Sequence, residues 1–275
     1  MTYKGELRKM PARINGDGIV EYGLRLFDIA TQEEQLLSLN ELIGKEISLK
    51  FEGNIFCINC GRKTKTSFAQ GFCFPCFKNA PENSECIIHP EKCRAHLGEG
   101  RDPQWEEEHH NKSHYVYLAA TDKVKVGVTR DHQVPTRWID QGASSAIKLA
   151  KTPNRYLAGM IEVALKDTFD DKTNWRNMLK NEIDEDIDLE QVKRDLEPLL
   201  PGDIAEYITD EDEITYINYP VISYPKSLKT INLDKTAQFE GKLMGIKGQY
   251  LLMDENRVIN IRKYAGYQVL LTVHP

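Results

Sequence analysis

The sequence predicts an α+β protein of more than one domain, and three observations carry that expectation. Short runs at both ends alternate apolar and polar residues, the period of half-buried strands. Two Cys-x2-Cys pairs stand twelve residues apart between Cys57 and Cys76. Residues 114–169 read strand, strand, helix, strand, helix, which is a small α/β module. With 275 residues the chain has room for two or three small cores. The expected division has four parts. Residues 1–53 with 225–275 form a β-rich, barrel-like domain, and 54–113 form a cysteine/histidine zinc-binding segment with its linker. Residues 114–181 are the module, and 182–224 are an acidic connector, part helical and part extended.

In the first part, Tyr3 to Lys9, Gly18 to Phe27 and Glu46 to Phe51 alternate as strands, and Leu36 to Leu42 suits a short helix. The C-terminal runs GKLMGI, QYLLMD, RVINIRK and YQVLLTV are strands divided by glycines and polar turns. Gly5-Glu6-Leu7 echoes Gly241-Lys242-Leu243, and Gly44 to Leu49 echoes Gly266 to Leu271. The two ends are therefore expected to meet in one β domain, with the other parts inserted.

Cys57, Cys60, Cys73 and Cys76 have tetrathiolate zinc spacing. Each pair places two thiolates on one side of a knuckle, and Gly61 and Gly71 suit the tight turns. Disulfides are the competing reading, but the N-terminus lacks a signal-peptide core, which points to a reducing cytoplasm. Four protein ligands leave no open position, so this zinc holds structure. Cys86-x2-His89-x3-Cys93-x2-His96 follows as a candidate second zinc cluster. Its central gap is short for one compact site, and His109, His110 or His114 are alternative donors for His89 or His96. Two free thiols and exposed loop histidines are the plain alternative. Residues 97–113 are polar, with Gly and Pro, and read as a linker in which Trp105 packs between the zinc segment and the module.

In the module, Tyr115, Tyr117 and Ala119 face one way and Val116, Leu118 and Ala120 the other. After Thr121-Asp122, Val124, Val126 and Val128 oppose Lys125, Gly127 and Thr129. Pro135 suits the first turn of a helix ending at Gly142. Ala146 to Lys151 is a third strand, and a second helix runs from Pro153-Asn154 to about Phe169. On that helix Ala158, Glu162, Leu165 and Phe169 share one stripe. A carboxylate on an apolar stripe is costly unless it is paired or binds a cation. Tyr117, Lys125, Arg137, Glu162 and Asn174 would suit phosphodiester chemistry, with arginine meeting phosphate charge and the carboxylate holding Mg²⁺. An amphipathic helix with a flanking Glu and a surface Arg fits the same spacing.

The stretch resembles a GIY-YIG nuclease module. Tyr115-Val116-Tyr117 stands where that family has its first tripeptide, and Lys125-Val126-Gly127 where it has the second. Arg137 matches the family's arginine, Glu162 its metal-binding glutamate and Asn174 a frequent downstream asparagine. The resemblance implies a three-stranded sheet flanked by helices and one-metal (Mg or Mn) hydrolysis of DNA or RNA. Lys125 departs from the tyrosine that family often uses there as general base. The whole chain also resembles an uncharacterised bacterial family that joins a zinc-ribbon-like segment to such a module.

Net charge is −6, which argues against a generally basic nucleic-acid binder. The charge is uneven, however. Arg62, Lys63, Lys65 and Lys78 stand in a stretch without acids, whereas 182–213 is rich in Asp and Glu. That acidic run reads as a solvated face, with an inhibitory flap over a basic patch as the sharper alternative. Ile187, Val192, Leu196 and Leu199 give it one apolar helical side, and Tyr207, Tyr216, Tyr219 and Tyr224 could stack bases or pack. No run approaches the ~20 apolar residues a membrane helix needs, so no membrane partner is expected. Phosphate-cradling and nucleophile-elbow motifs are missing. Two functions remain: a divalent-metal-dependent nuclease, or a zinc-stabilised adaptor that binds nucleic acid without cutting it.

Overall fold

The computed structural model describes residues 1–168 and 174–274. It has two compact units, Met1–Lys78 with Ile139–Gly142 and Asn218–Pro275, and Asn79–Trp138 with Ala143–Ile217. The boundary after Lys78 falls inside the 54–113 stretch, so the two cysteine groups belong to different units.

The first unit is built on one sheet of eleven strands. Its ladder runs Lys229–Thr230, Arg257–Asn260, Tyr250–Met253, Gln238–Lys247, Glu46–Phe56, Tyr267–Val273, Thr2–Leu7, Val20–Asp28, Ala12–Ile14. Glu33–Ser38 also pairs with Val20–Asp28, and Lys63–Thr64 with Glu46–Phe56. Thr2 lies opposite Thr272, so the two ends of the chain are neighbouring antiparallel strands. The sheet is curled, and the two strands at the ends of this order, Lys229–Thr230 and Ala12–Ile14, have two and three residues. Alternation puts Val20, Tyr22, Leu24 and Leu26 in the core, as a period of two requires.

Residues 36–42, predicted as a helix, finish the strand Glu33–Ser38 and then make one 3₁₀ turn, Asn40–Leu42. Pairing decides this. The segment completes a hairpin with Val20–Asp28, and the Asn40 side chain accepts from Tyr22 N at 2.8 Å and donates to Val20 O at 2.9 Å. Long-range partners of this kind override a weak local helix preference.

The second unit holds a four-stranded antiparallel sheet in the order Thr215–Tyr216, Ser145–Thr152, His114–Ala120, Val124–Arg130. Val116, Leu118, Ala120, Ile147 and Leu149 form one face. They pack under Ala158, Ile161 and Leu165 at the Arg155–Ala164 helix, and under Leu189 and Leu196 of the Leu189–Leu196 helix. The other face carries Tyr115 and Tyr117, with Tyr117 directly opposite Gly127. Asn154 begins the Arg155–Ala164 helix by accepting from Leu157 N at 3.0 Å. That helix is shorter than expected and passes into a 3₁₀ turn, Lys166–Thr168. Phe169, predicted on its stripe, lies outside the described residues. Pro135 precedes the short helix Thr136–Gln141 rather than opening it. Among the described residues no helix is long and apolar enough to cross a membrane.

Candidate functional site

The first candidate metal centre grows from the end of a strand. Cys57 follows Glu46–Phe56, and its carbonyl accepts from Gly61 N at 2.9 Å while its amide donates to Arg62 O at 2.8 Å. The turn needs left-handed backbone at Gly61, φ +70°. Ile58 N donates to Gly71 O at 2.9 Å and ties this knuckle to the one carrying Cys73 and Cys76. All four Sγ atoms lie within 4.8 Å of one another, with Cys60 and Cys73 at 3.8 Å. A tetrahedron with Zn–S bonds of about 2.3 Å separates its sulfurs by about 3.8 Å. The donor set and spacing therefore fit a structural zinc. Burial pushes the Cys57 thiol up, but amides at Cys60, Cys73 and Asn59 outweigh it and bring it down to about 7. Asn59 favours the Cys76 thiolate, yet burial and three thiol neighbours raise it to about 12. Four thiols this close cannot all ionise without a cation among them.

In the second unit the structure gathers Cys86, Cys93, Glu106 and His110, all buried, with donor atoms within 4.8 Å of one another. His89 and His96, predicted beside the two cysteines, are not brought in. The 3₁₀ turn Pro90–Lys92 folds Cys93 back toward Cys86 and leaves His89 half-exposed, its Nδ1 3.4 Å from Glu91. His96 is exposed and stacks on Tyr156 with ring centres 4.7 Å apart. Of the alternative histidines, His110 joins the cluster. The supposed linker supplies both missing donors, because Pro103–His109 is a helix begun by Asp102, which accepts from Trp105 N at 3.1 Å. Glu106 and His110 are four residues apart and project from one side of it. Trp105 stacks on His109 at 4.2 Å and meets the His110 ring edge-on. Asp102-Pro103 and the Glu/His spacing were the available sequence signals for this helix.

The remaining site residues lie on the module. Tyr117 is 1% exposed, and its ring fills the space a side chain at Gly127 would need: a Cβ there would stand 2.5 Å from the Tyr117 hydroxyl. Trp138 meets that ring edge-on at 6.0 Å. Tyr115 donates to Glu211 at 3.1 Å, and Lys148 donates to the other Glu211 oxygen at 2.5 Å. Lys193, buried, holds the acidic turn by donating to Thr209 O at 2.5 Å and Asp212 at 2.6 Å. Part of the 182–213 acidic run thus sits on the tyrosine face. Val134, Pro135, Trp138, Lys148 and Glu211–Glu213 line a cavity there.

Arg137 and Glu162 are half-buried, and both act on Arg155, a residue the sequence had not singled out. Burial lowers the Arg155 pKa from the usual arginine range; Cys86, Cys93 and Glu162 oppose that, and Arg137 reinforces it. Arg155 donates to the carbonyls of Cys86 at 2.8 Å and Ile87 at 2.9 Å. Arg155, Gly159 and Glu162 share one helix side. At Gly159 a Cβ would stand 2.2 Å from Glu91 N, so the Pro90–Glu91 backbone rests directly on the helix. Lys125 lies beside Gly127 on the second strand, and Asn174 caps the Trp175–Lys180 helix by accepting from Arg176 N at 3.2 Å.

A family model described as "Protein of unknown function (DUF2797)" matches residues 44–269. No curated protein and no solved structure matches the chain.

Proposed function

The chain belongs to that family of proteins of unknown function, and we propose that it is a zinc-stabilised protein acting on nucleic acid through divalent-metal-dependent phosphodiester hydrolysis. The observation that carries this reading is the placement of Arg155 and Glu162 on one side of the Arg155–Ala164 helix, with Glu162 and Arg137 both influencing the Arg155 charge. It stands on a module whose strand order puts His114–Ala120 between the other two long strands. In this reading Arg137 would supply a donor for developing negative charge and Glu162 an oxygen ligand for a hard cation. Glu162 alone is one ligand, which suits a Mg²⁺ or Mn²⁺ site completed by water and substrate phosphate oxygens. Such an ion, when bound, supplies Lewis-acid charge stabilisation.

The chain's own residues would bind and orient. Arg137 would meet the phosphate, while Tyr115 and Tyr117, buried on the sheet face opposite the Arg155–Ala164 helix, would shape the module rather than touch an ion at Glu162. Lys125 serves as base only when neutral, which requires a lowered pKa. Asn174 contributes by fixing the start of the Trp175–Lys180 helix. A second reading, an adaptor that binds DNA or RNA without cleaving it, is favoured by the burial of Tyr117 and by Lys125 in the second tripeptide. The two are separated by testing the Glu162→Gln protein beside wild type for Mg²⁺- or Mn²⁺-dependent cleavage of labelled nucleic acids. Loss of cleavage in the variant supports hydrolysis; salt-sensitive binding with no cleavage by either protein supports the adaptor.

A further inference from the structure

We infer that Cys86, Cys93, Glu106 and His110 form a second, closed zinc site, distinct from the four-cysteine centre. The donors come from two segments that the fold brings together, the Cys86–Cys93 loop and one side of the Pro103–His109 helix. Glu106 is 3% exposed and His110 0%. Cys86 Sγ lies 3.6 Å from His110 Nδ1. Tetrahedral zinc with bonds of about 2.3 Å to sulfur and about 2.05 Å to nitrogen separates those atoms by about 3.6 Å. The Glu106 carboxylate contacts the same ring nitrogen with one oxygen, the Arg101 amide favours its charged form, and its other oxygen, Oε1, has no hydrogen-bond partner among the described residues. A buried carboxylate with an unsatisfied oxygen, set between two thiols and an imidazole, is costly unless a cation sits among them.

Two thiolates, an imidazole and a carboxylate are a borderline-soft tetrahedral set, which selects zinc over Mg²⁺ or Ca²⁺. With four protein ligands and no exposed donor, the ion is structural. Its effect reaches the module. The same loop gives the Cys86 and Ile87 carbonyls to Arg155 and rests its Pro90–Glu91 backbone on Gly159. Zinc at this site therefore fixes the helix side that carries Glu162. The metal assignment itself does not depend on the phosphodiester reading.

The test is the zinc content of the purified full-length chain by elemental mass spectrometry, paired with cobalt substitution. The expected content is two zinc per chain. Glu106→Gln and the double variant Cys86→Ser/Cys93→Ser should each fall toward one, while Cys60→Ser loses the other ion and keeps this one. The chain has six cysteines, so cobalt-loaded wild type should show thiolate-to-metal absorption from six thiolates, and the double variant about one third less. The cobalt spectrum of wild type needs no variant, so a variant that fails to fold leaves the test intact. One zinc per chain in wild type, or absorption from four thiolates only, overturns the inference. So does a content of two that Glu106→Gln and the cysteine variant both leave unchanged.

Discussion

Gly159→Ala sets two well-measured effects against each other. Gly159 lies inside the Arg155–Ala164 helix, where Ala is normally favoured over Gly by about 0.8–1 kcal/mol. Here the added Cβ would stand 2.2 Å from Glu91 N and 2.4 Å from Pro90 C. Ordinary contact begins near 3.4 Å, so the loop and helix must part by about 1.2 Å, the difference between 3.4 and 2.2. The obstacle is backbone rather than a flexible side-chain end, and Arg155 holds the same loop through two carbonyls. Overpacking of this kind costs about 1–3 kcal/mol and sits at the upper end when neither partner can turn away. The net expectation is destabilisation by about 1–2 kcal/mol, or roughly 2–4 °C of melting temperature per kcal/mol for a chain of this size. All three tryptophans, Trp105, Trp138 and Trp175, lie in the second unit, so urea unfolding followed by their fluorescence reports on it. Gly202→Ala is the control, since nothing lies within 4 Å of a Cβ there, and it should be neutral or stabilising. If Gly159→Ala stabilised the unit by about 1 kcal/mol, as propensity alone requires, the loop would not rest on this helix.

Two further outcomes follow from the charges. Lys247 is buried near the Tyr219 and Tyr224 rings, at 5.1 and 5.4 Å, and burial pushes its ammonium down to about 8. Between about pH 8 and the ordinary lysine value of 10.5 the unfolded chain holds the extra proton, so stability from this group rises with pH across that window. Urea midpoints of wild type should show that rise between pH 8 and 10, and those of Lys247→Met should show less of it; an unchanged slope would contradict the assignment. Glu211→Gln removes the charge held by Tyr115 and Lys148 on the tyrosine face. If the proposed nucleic-acid binding uses this face, affinity at low salt should tighten by about 2- to 5-fold, as expected for one partly exposed pair, and titrations showing no change would remove that turn from the proposed face.

What the sequence made legible was local. Cys57 to Cys76 could be read because both knuckles and their glycines lie within twenty residues. The end strands and the module's strand and helix order could be read because a period of two and the cap at Asn154 are written in consecutive residues. Residues 36–42 were misread because a partner strand, not local propensity, decides their conformation. The second cluster was half legible. Cys86 and Cys93 stood out, but the donors that complete the cluster come from a helix resembling a polar linker. His89 and His96, closer in sequence, are turned away by the Pro90–Lys92 turn. Arg155 and Gly159 carried no signal at all, since each matters only through a loop about seventy residues away. Asn174, read as a site residue, has its side-chain oxygen engaged in a helix cap.

The most direct measurement is cleavage of single-stranded, duplex and branched DNA and of RNA by the zinc-loaded chain, with and without Mg²⁺ or Mn²⁺, beside Glu162→Gln. The expected result is cleavage that requires the added divalent ion and is lost in the variant while zinc content and folding stay unchanged. Cleavage that persists at the wild-type rate in Glu162→Gln, or none of any substrate by wild type, would contradict it.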